Sequence, residues 1–293
     1  MSDMPSQSMK QSSRLGDDFR TRVVSGIVML VVALGATWMG GWAFAALLLA
    51  GGVVLLVEWT NMTRGGERDS TFTTAIVTLA LMVLAFMLQP DWIPLVPLWL
   101  VIGIIGVITM IALNRSNDRS TNLATFGFDY IALPVIAILW LRNDTQTGLL
   151  VVLFLFAIVW GTDIMGYVCG RYFGGPKLWP AVSPKKTWSG AIGGTVAAIV
   201  AGILVGLFHP EASWLRLGLV AFCLSILSQC GDIFESAMKR HYNMKDSGRI
   251  IPGHGGLLDR VDGLLFAALG AAIFALAAGP WDQPARTILV GGS

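Results

Sequence analysis

Apolar blocks of about 20 residues, each broken by a short polar cluster, dominate the pattern of this chain, and about 20 such residues cross the hydrocarbon core of a bilayer as a helix. The blocks predict nine spans, near residues 23–39, 41–57, 72–88, 95–113, 124–141, 148–170, 189–208, 214–234 and 261–279. Their ends fall at Pro, Gly, Asn and charged clusters such as Arg64-Gly65-Gly66-Glu67-Arg68 and Asn114-Arg115-Ser116-Asn117-Asp118-Arg119. The shortest break is Met39-Gly40-Gly41, which splits residues 23–57 into two helices. The expected fold class is an all-α integral membrane protein, a polytopic bundle of about nine transmembrane helices.

Composition agrees with the pattern. Of 293 residues, 55% are hydrophobic and 13% charged, and the mean hydropathy is +0.69. Soluble domains carry about 25% charged residues, so one membrane domain without a separate soluble domain is expected. The first 22 residues are polar and basic, and the apolar run after them lacks a convincing cleavage site, which reads as a retained helix rather than a signal peptide. Cys169, Cys223 and Cys230 lie in or beside apolar runs without CxxC spacing; neither disulfide nor zinc chemistry is expected, and they read as small residues packed between helices.

Charge placement orients the bundle. With the N-terminus inside, all but three of the 20 Lys and Arg residues fall in inner segments; the three are Arg142, Arg216 and Arg286. Basic residues are retained on the cytoplasmic side, so nine spans place the C-terminus outside. The chain then divides into an N-terminal cytoplasmic tail (1–22), scaffold helices (23–145), a catalytic membrane region (146–280) with inner loops at 171–188 and 235–260, and a C-terminal tail (281–293). The first five spans read as scaffold, and the chemistry concentrates in the two inner loops.

On the eighth span Ser225, Ser228, Gln229, Asp232, Glu235, Ser236 and Lys239 recur every three or four residues, one stripe of a helix. A carboxylate near the membrane centre costs roughly 2.5–3.5 kcal/mol on insertion scales, so Asp232 calls for a cavity or a partner. The alternative, a stripe that only glues helices together, explains two carboxylates and a lysine less well. In the following loop five basic residues alternate with three aspartates around Pro252-Gly253-His254-Gly255-Gly256, and Asp259 and Asp262 share a helix face. Carboxylates with hydroxyl neighbours suit Mg²⁺, and the Lys and Arg residues suit phosphates. Upstream, Asp163 and Tyr167 lie one turn apart, Gly166 and Gly170 have close-packing spacing, and Ser183-Pro184-Lys185-Lys186-Thr187 reads as an anion-binding loop.

Together these residues resemble a known signature. Ser236-x-x-Lys239-Arg240-x4-Lys245-Asp246-x-Gly248-x3-Pro252-x-His254-Gly255-Gly256-x2-Asp259-Arg260-x-Asp262 is similar to that of phosphatidate cytidylyltransferases, also called CDP-diacylglycerol synthases. Asp163, Tyr167, Gly170 and Ser183-Pro-Lys-Lys-Thr-Trp188 also resemble that family, while Ser189 stands where the family usually has Glu. The resemblance covers about residues 160–280; before that it is hydropathy alone. It implies transfer of the cytidylyl group of CTP to phosphatidic acid, giving CDP-diacylglycerol and pyrophosphate for phospholipid biosynthesis, by metal-assisted attack of the lipid phosphate on the α-phosphorus. The implied cofactor is Mg²⁺, with a second cation open. The implied partners are CTP, phosphatidic acid and membrane lipids, with no nucleic acid; a homodimer is left open. The implied location is the inner (plasma) membrane, with the N-terminus and active site cytoplasmic.

The roles this suggests are Asp232, Asp259 and Asp262 for the metal, with Asp232, Ser236, Lys239, Arg240, Lys245, Asp246, His254, Asp259 and Arg260 in the catalytic set. Asp163, Tyr167, Ser183, Lys185, Lys186, Thr187, Arg249, Gly255 and Gly256 are the substrate-binding candidates. Two rivals stay open. A CTP-dependent lipid-alcohol kinase would move the γ-phosphate, and a transporter would use Asp163 and Asp232 as ion sites but gives no reason for the loop 235–260.

Overall fold

The computed structural model describes residues 5–89, 97–116, 121–144, 146–253 and 255–291; His254 and the start of the fourth expected span, residues 95–96, lie outside them. The helices are α1 (Pro5–Met39), α2 (Gly41–Arg64), α3 (Ser70–Leu88), α4 (Leu98–Ser116), α5 (Thr121–Asn143), α6 (Gly148–Phe173), α7 (Trp188–Gly206), α8 (Trp214–His241), α9 (Leu258–Ala278) and the short α10 (Pro284–Leu289). Among the described residues nine helices are long and apolar enough to cross a membrane, matching the nine expected spans. Large apolar side chains such as Val31, Ile108, Val200 and Ile273 are exposed on their outer faces, as lipid-facing surfaces require.

The α1–α2 reversal rests on Gly40 and Gly41, with φ of +63° and +50°, a left-handed backbone that favours glycine. Arg142 closes this corner from α5, its guanidinium donating to the carbonyls of Thr37 (2.7 Å) and Trp38 (3.2 Å). The other two outer arginines also have structural partners. Arg216 donates to the Thr287 and Ile288 carbonyls at 2.5 and 3.3 Å, and Arg286 pairs with Glu211 at 2.9 Å. The stretch read as a C-terminal tail thus contains α10, with Ala285, Ile288 and Leu289 fully buried.

Two seams of small residues set the spacing around the centre. Where α6 meets α7, a Cβ on Gly190 would stand 2.6 Å from the Gly166 carbonyl oxygen. Where α8 crosses α9, a Cβ on Gly231 would stand 2.5 Å from the Asp262 carbonyl oxygen, and one on Gly263 would stand 2.5 Å from Ser228 Oγ. Close approach through small residues is the usual device of membrane helix pairs, where no hydrophobic effect drives association. Trp59, Phe126, Tyr130, Phe234 and Phe266 form an aromatic cluster joining α2, α5, α8 and α9, with ring centroids 5.3–6.3 Å apart. It ties the scaffold helices to the helices that carry the signature, each pair contributing roughly 0.5–1.5 kcal/mol beyond area burial.

Two expectations are refined and one is corrected. The inner loop between residues 171 and 188 contains an antiparallel hairpin, β1 (Lys177–Trp179) and β2 (Ser183–Thr187). The eighth helix runs past residue 234 to His241 and so carries the whole expected stripe, Glu235, Ser236 and Lys239 included, because Ser-Ala-Met-Lys-Arg is a helix-compatible sequence. All three cysteines are free, but Cys223 and Cys230 are exposed rather than packed between helices, while Cys169 lies against Gly193 of a neighbouring helix.

Candidate active site

The hairpin and the ends of α6, α8 and α9 surround a cavity of about 1200 Å³. Its polar part is lined by Asp163, Tyr167 and Arg171 of α6, Lys177, Lys185, Lys186 and Thr187 of the hairpin, Gln229 and Asp232 of α8, and Asp259, Arg260 and Asp262 of α9. Its apolar part runs under α1, between Met29, Leu30 and Ala33 on one side and Leu48, Phe156 and Trp160 on the other. One space therefore meets both a charged cluster and a lipid-like wall.

Local structure explains the placement. Thr187 is the N-cap of α7, its hydroxyl accepting from Gly190 N at 3.1 Å. Ser189 donates to the Gly174 carbonyl and lies 3.0 Å from the Thr187 hydroxyl, so the position where the family usually has Glu fastens the hairpin to α7. That fastening presents Lys185 and Lys186 to the cavity, where Lys186 pairs with Asp232. The α8–α9 crossing does the same for the acids. Gly231 precedes Asp232 and Gly263 follows Asp262, so a close approach of the two helices lies beside both carboxylates. Deeper in the membrane, Gln229 donates to Thr195 Oγ1 (2.9 Å), and Thr162 and Ser225 share a 2.8 Å hydrogen bond, joining α6, α7 and α8.

Asp259 lies at the cavity edge and is heavily engaged. Its Oδ1 is 2.6 Å from Lys239 Nζ, and its Oδ2 accepts from Ser247 N (3.0 Å), Ser247 Oγ (2.9 Å) and Gly256 N (3.0 Å). Lys239 also pairs with Glu235 at 2.6 Å. This buried cluster folds the loop after α8 back onto α9, aided by the Ile251–Gly255 bridge with Gly253 and Gly255 at φ +76° and +87°.

The structure thus brings Asp163, Tyr167, Lys185, Lys186, Thr187, Asp232, Asp259, Arg260 and Asp262 to one cavity. Ser236 and Lys239 stand beside it on α8, half-buried, while Ser183 opens β2 opposite Trp179. Arg240, Lys245, Asp246 and Arg249 are exposed around the loop, and Gly255 and Gly256 shape its return. Glu58 of α2, absent from the candidates, is fully buried against this loop. A second span that ends at residue 57 excludes it; the signal in the sequence is a glutamate flanked by Leu55-Leu56-Val57 and Trp59.

For a cation the donor set is informative. Among the described residues no three His, Cys, Asp or Glu side chains converge tightly enough to enclose an ion. Mg²⁺ is commonly held by one or two carboxylates, waters and substrate phosphates, and Asp163, Asp232 and Asp262 reach the cavity from three helices. Asp232 already faces a cation there, the Lys186 ammonium. A Mg²⁺ held by these carboxylates would have to take its remaining ligands from waters and a phosphate-bearing substrate.

Comparison with known proteins agrees with this arrangement. Residues 20–277 match the model of the cytidylyltransferase family. The phosphatidate cytidylyltransferase of Brucella abortus biovar 1 (strain 9-941) is 38% identical over 262 residues, 88% of this chain and 95% of that protein. Those of Staphylococcus haemolyticus (strain JCSC1435) and Staphylococcus epidermidis (strain ATCC 12228) are 33% and 34% identical over 253 residues, 84% of this chain and 95% of each relative. The chain belongs to the cytidylyltransferase family, as a multi-pass membrane enzyme related to phosphatidate cytidylyltransferases.

Proposed function

We propose that this enzyme transfers the cytidylyl group of CTP to phosphatidic acid at the cytoplasmic face of the inner (plasma) membrane, releasing pyrophosphate. The observation that carries the reading is the two-part lining of the cavity. A lipid whose tails lie along Met29, Leu30 and Phe156 brings its phosphate to the charged end, where a water-soluble nucleotide can meet it.

Both reactants are polyanions, so the protein's task is to hold them together and offset their charge. Lys185, Lys186 and Arg171 hold the triphosphate, and Arg260 faces the lipid phosphate from α9. An oxygen of the lipid phosphate attacks the α-phosphorus; the new P–O bond forms as the α–β bridging bond breaks, and pyrophosphate leaves with the electron pair. The phosphate monoester is its own nucleophile, so no residue has to form a covalent intermediate. Asp163, Asp232 and Asp262 would hold Mg²⁺, which when bound supplies charge neutralisation of the phosphates. Lys239, Asp259 and Ser247 keep the loop closed beside the site. Purified protein given CTP, phosphatidic acid and Mg²⁺ should release pyrophosphate only when the lipid is present. Release that ignores the lipid would refute the reading.

A further inference from the structure

The loop that carries the signature is folded around a side chain from outside it. Glu58 lies on α2, about 200 residues away in sequence (a separation of 199 from Leu257), and is fully buried. Its Oε1 accepts from Leu257 N at 2.9 Å and its Oε2 from Leu258 N at 2.8 Å. Leu257, at the N-cap of α9, offers no side-chain cap; Glu58 instead satisfies two backbone amides of that helix end, those of Leu257 and Leu258. Two glycines of the signature make room for it. A Cβ on Gly248 would stand 2.9 Å from Glu58 Cδ, and one on Gly256 would stand 2.9 Å from Glu58 Oε1. Ser247 connects this carboxylate to the next, its hydroxyl 2.9 Å from Asp259 Oδ2 and 3.5 Å from Glu58 Oε2. The first turn of α9, which these bonds fix, presents Asp259, Arg260 and Asp262 to the cavity.

We propose that Glu58 is a positioning residue for the transfer reaction: a carboxylate from the scaffold half that clamps the start of α9, and through Ser247 the Asp259–Lys239 pair, in the geometry the reaction needs. The proposal rests on the function given above. It assigns Glu58 no contact with substrate. Its effect therefore belongs in kcat rather than in binding, because ground-state contacts to CTP and lipid come from other residues.

The test uses the full-length protein in detergent. In Glu58→Gln an amide NH2 replaces one acceptor and faces a backbone N–H. The expected result is a kcat lowered at least about tenfold, with KM for CTP and phosphatidic acid within about twofold, since small displacements of aligned groups cost rate steeply. Trypsin should also cut faster at Lys245 and Arg249. Combined with Ser247→Ala, the loss should fall well short of the product of the two single losses, as expected for residues acting through one network. If Glu58→Gln does not accumulate, Glu58→Asp, which keeps the charge but withdraws it by one methylene, is expected to show the same kcat loss. A variant with lowered melting temperature but wild-type kcat per folded molecule overturns the proposal, as do multiplicative losses with Ser247→Ala. The trypsin comparison needs no turnover, so unchanged cleavage overturns the clamp even if the wild-type protein transfers no cytidylyl group. Absence of transfer in wild type would instead refute the function itself.

Discussion

Alanine at Gly231 would place a methyl carbon 2.5 Å from the backbone carbonyl oxygen of Asp262 and 3.0 Å from Phe266 Cδ2. Phe266 can rotate, but a carbonyl in the first turns of α9 cannot leave without moving the helix. Ordinary contact begins near 3.4 Å, so the two helices must part by about 0.9 Å, the difference between 3.4 and 2.5 Å. Overpacking of this kind costs about 1–3 kcal/mol, while alanine's helix preference over glycine returns about 1 kcal/mol; the net loss of stability should be about 0–2 kcal/mol. The functional effect is larger, because the displaced segments carry Asp232 and Asp262, and a shift near 1 Å in a reacting constellation can cost about 100-fold in rate. Initial rates of lipid cytidylylation, measured beside the melting temperature in detergent, separate the two effects. Gly35→Ala is the matched control: beyond its own stretch of helix backbone, an added Cβ would meet no heavy atom within 4 Å, so full activity and equal or higher stability are expected. A Gly231→Ala enzyme retaining more than about half the wild-type kcat would refute the claim that the α8–α9 approach sets the placement of the two acids.

Other predictions divide the acids by role. Asp232→Asn should lower turnover by at least about 100-fold with little change in melting temperature, because it removes charge stabilisation at an open cavity; near-normal rates at ordinary Mg²⁺ would remove Asp232 from the site. Asp259→Asn should lose activity and also stability, by about 1.5–3 kcal/mol, since Lys239 keeps Glu235 but loses its second carboxylate, and the bonds from Ser247 and Gly256 to a charged oxygen are weakened; an unchanged melting temperature would contradict the structural part given to Asp259. Reporter cysteines at 183 and 246 should be labelled from the cytosol and one at 286 from the opposite side. The background for that experiment must lack Cys223 and Cys230, both exposed, as well as Cys169. Labelling of 246 from outside sealed cells would overturn the orientation.

The helices were legible because a bilayer imposes a length, and nine apolar blocks meet it without help from tertiary packing. Even the Met39-Gly40-Gly41 split could be read, since two consecutive glycines permit the positive φ the reversal uses. The hairpin could not: strands of three and five residues, with Pro184 inside the second, give no alternation to detect. At the site, charges inside apolar runs marked Asp163 and Asp232, and the signature marked the α9 acids, but partners did not follow from spacing. Asp259, read as a metal ligand, is surrounded by Lys239, Ser247 and Gly256, and the pairing of Lys186 with Asp232 joins separate helices and loops. Glu58 was hidden for the same reason, its partners lying about 200 residues further along the chain (separations of 199 and 200).

The central claim is that the reaction occurs at the α-phosphorus of CTP, with the lipid phosphate as nucleophile. A kinase built on the same carboxylates and cations would move the γ-phosphate to an alcohol and would need a positioned general base. Purified protein with phosphatidic acid, Mg²⁺ and CTP labelled at either the α- or the γ-phosphate distinguishes them in one extraction. The account requires α-label in the lipid phase and γ-label only in released pyrophosphate; lipid labelled from the γ-position, or from neither, would contradict it.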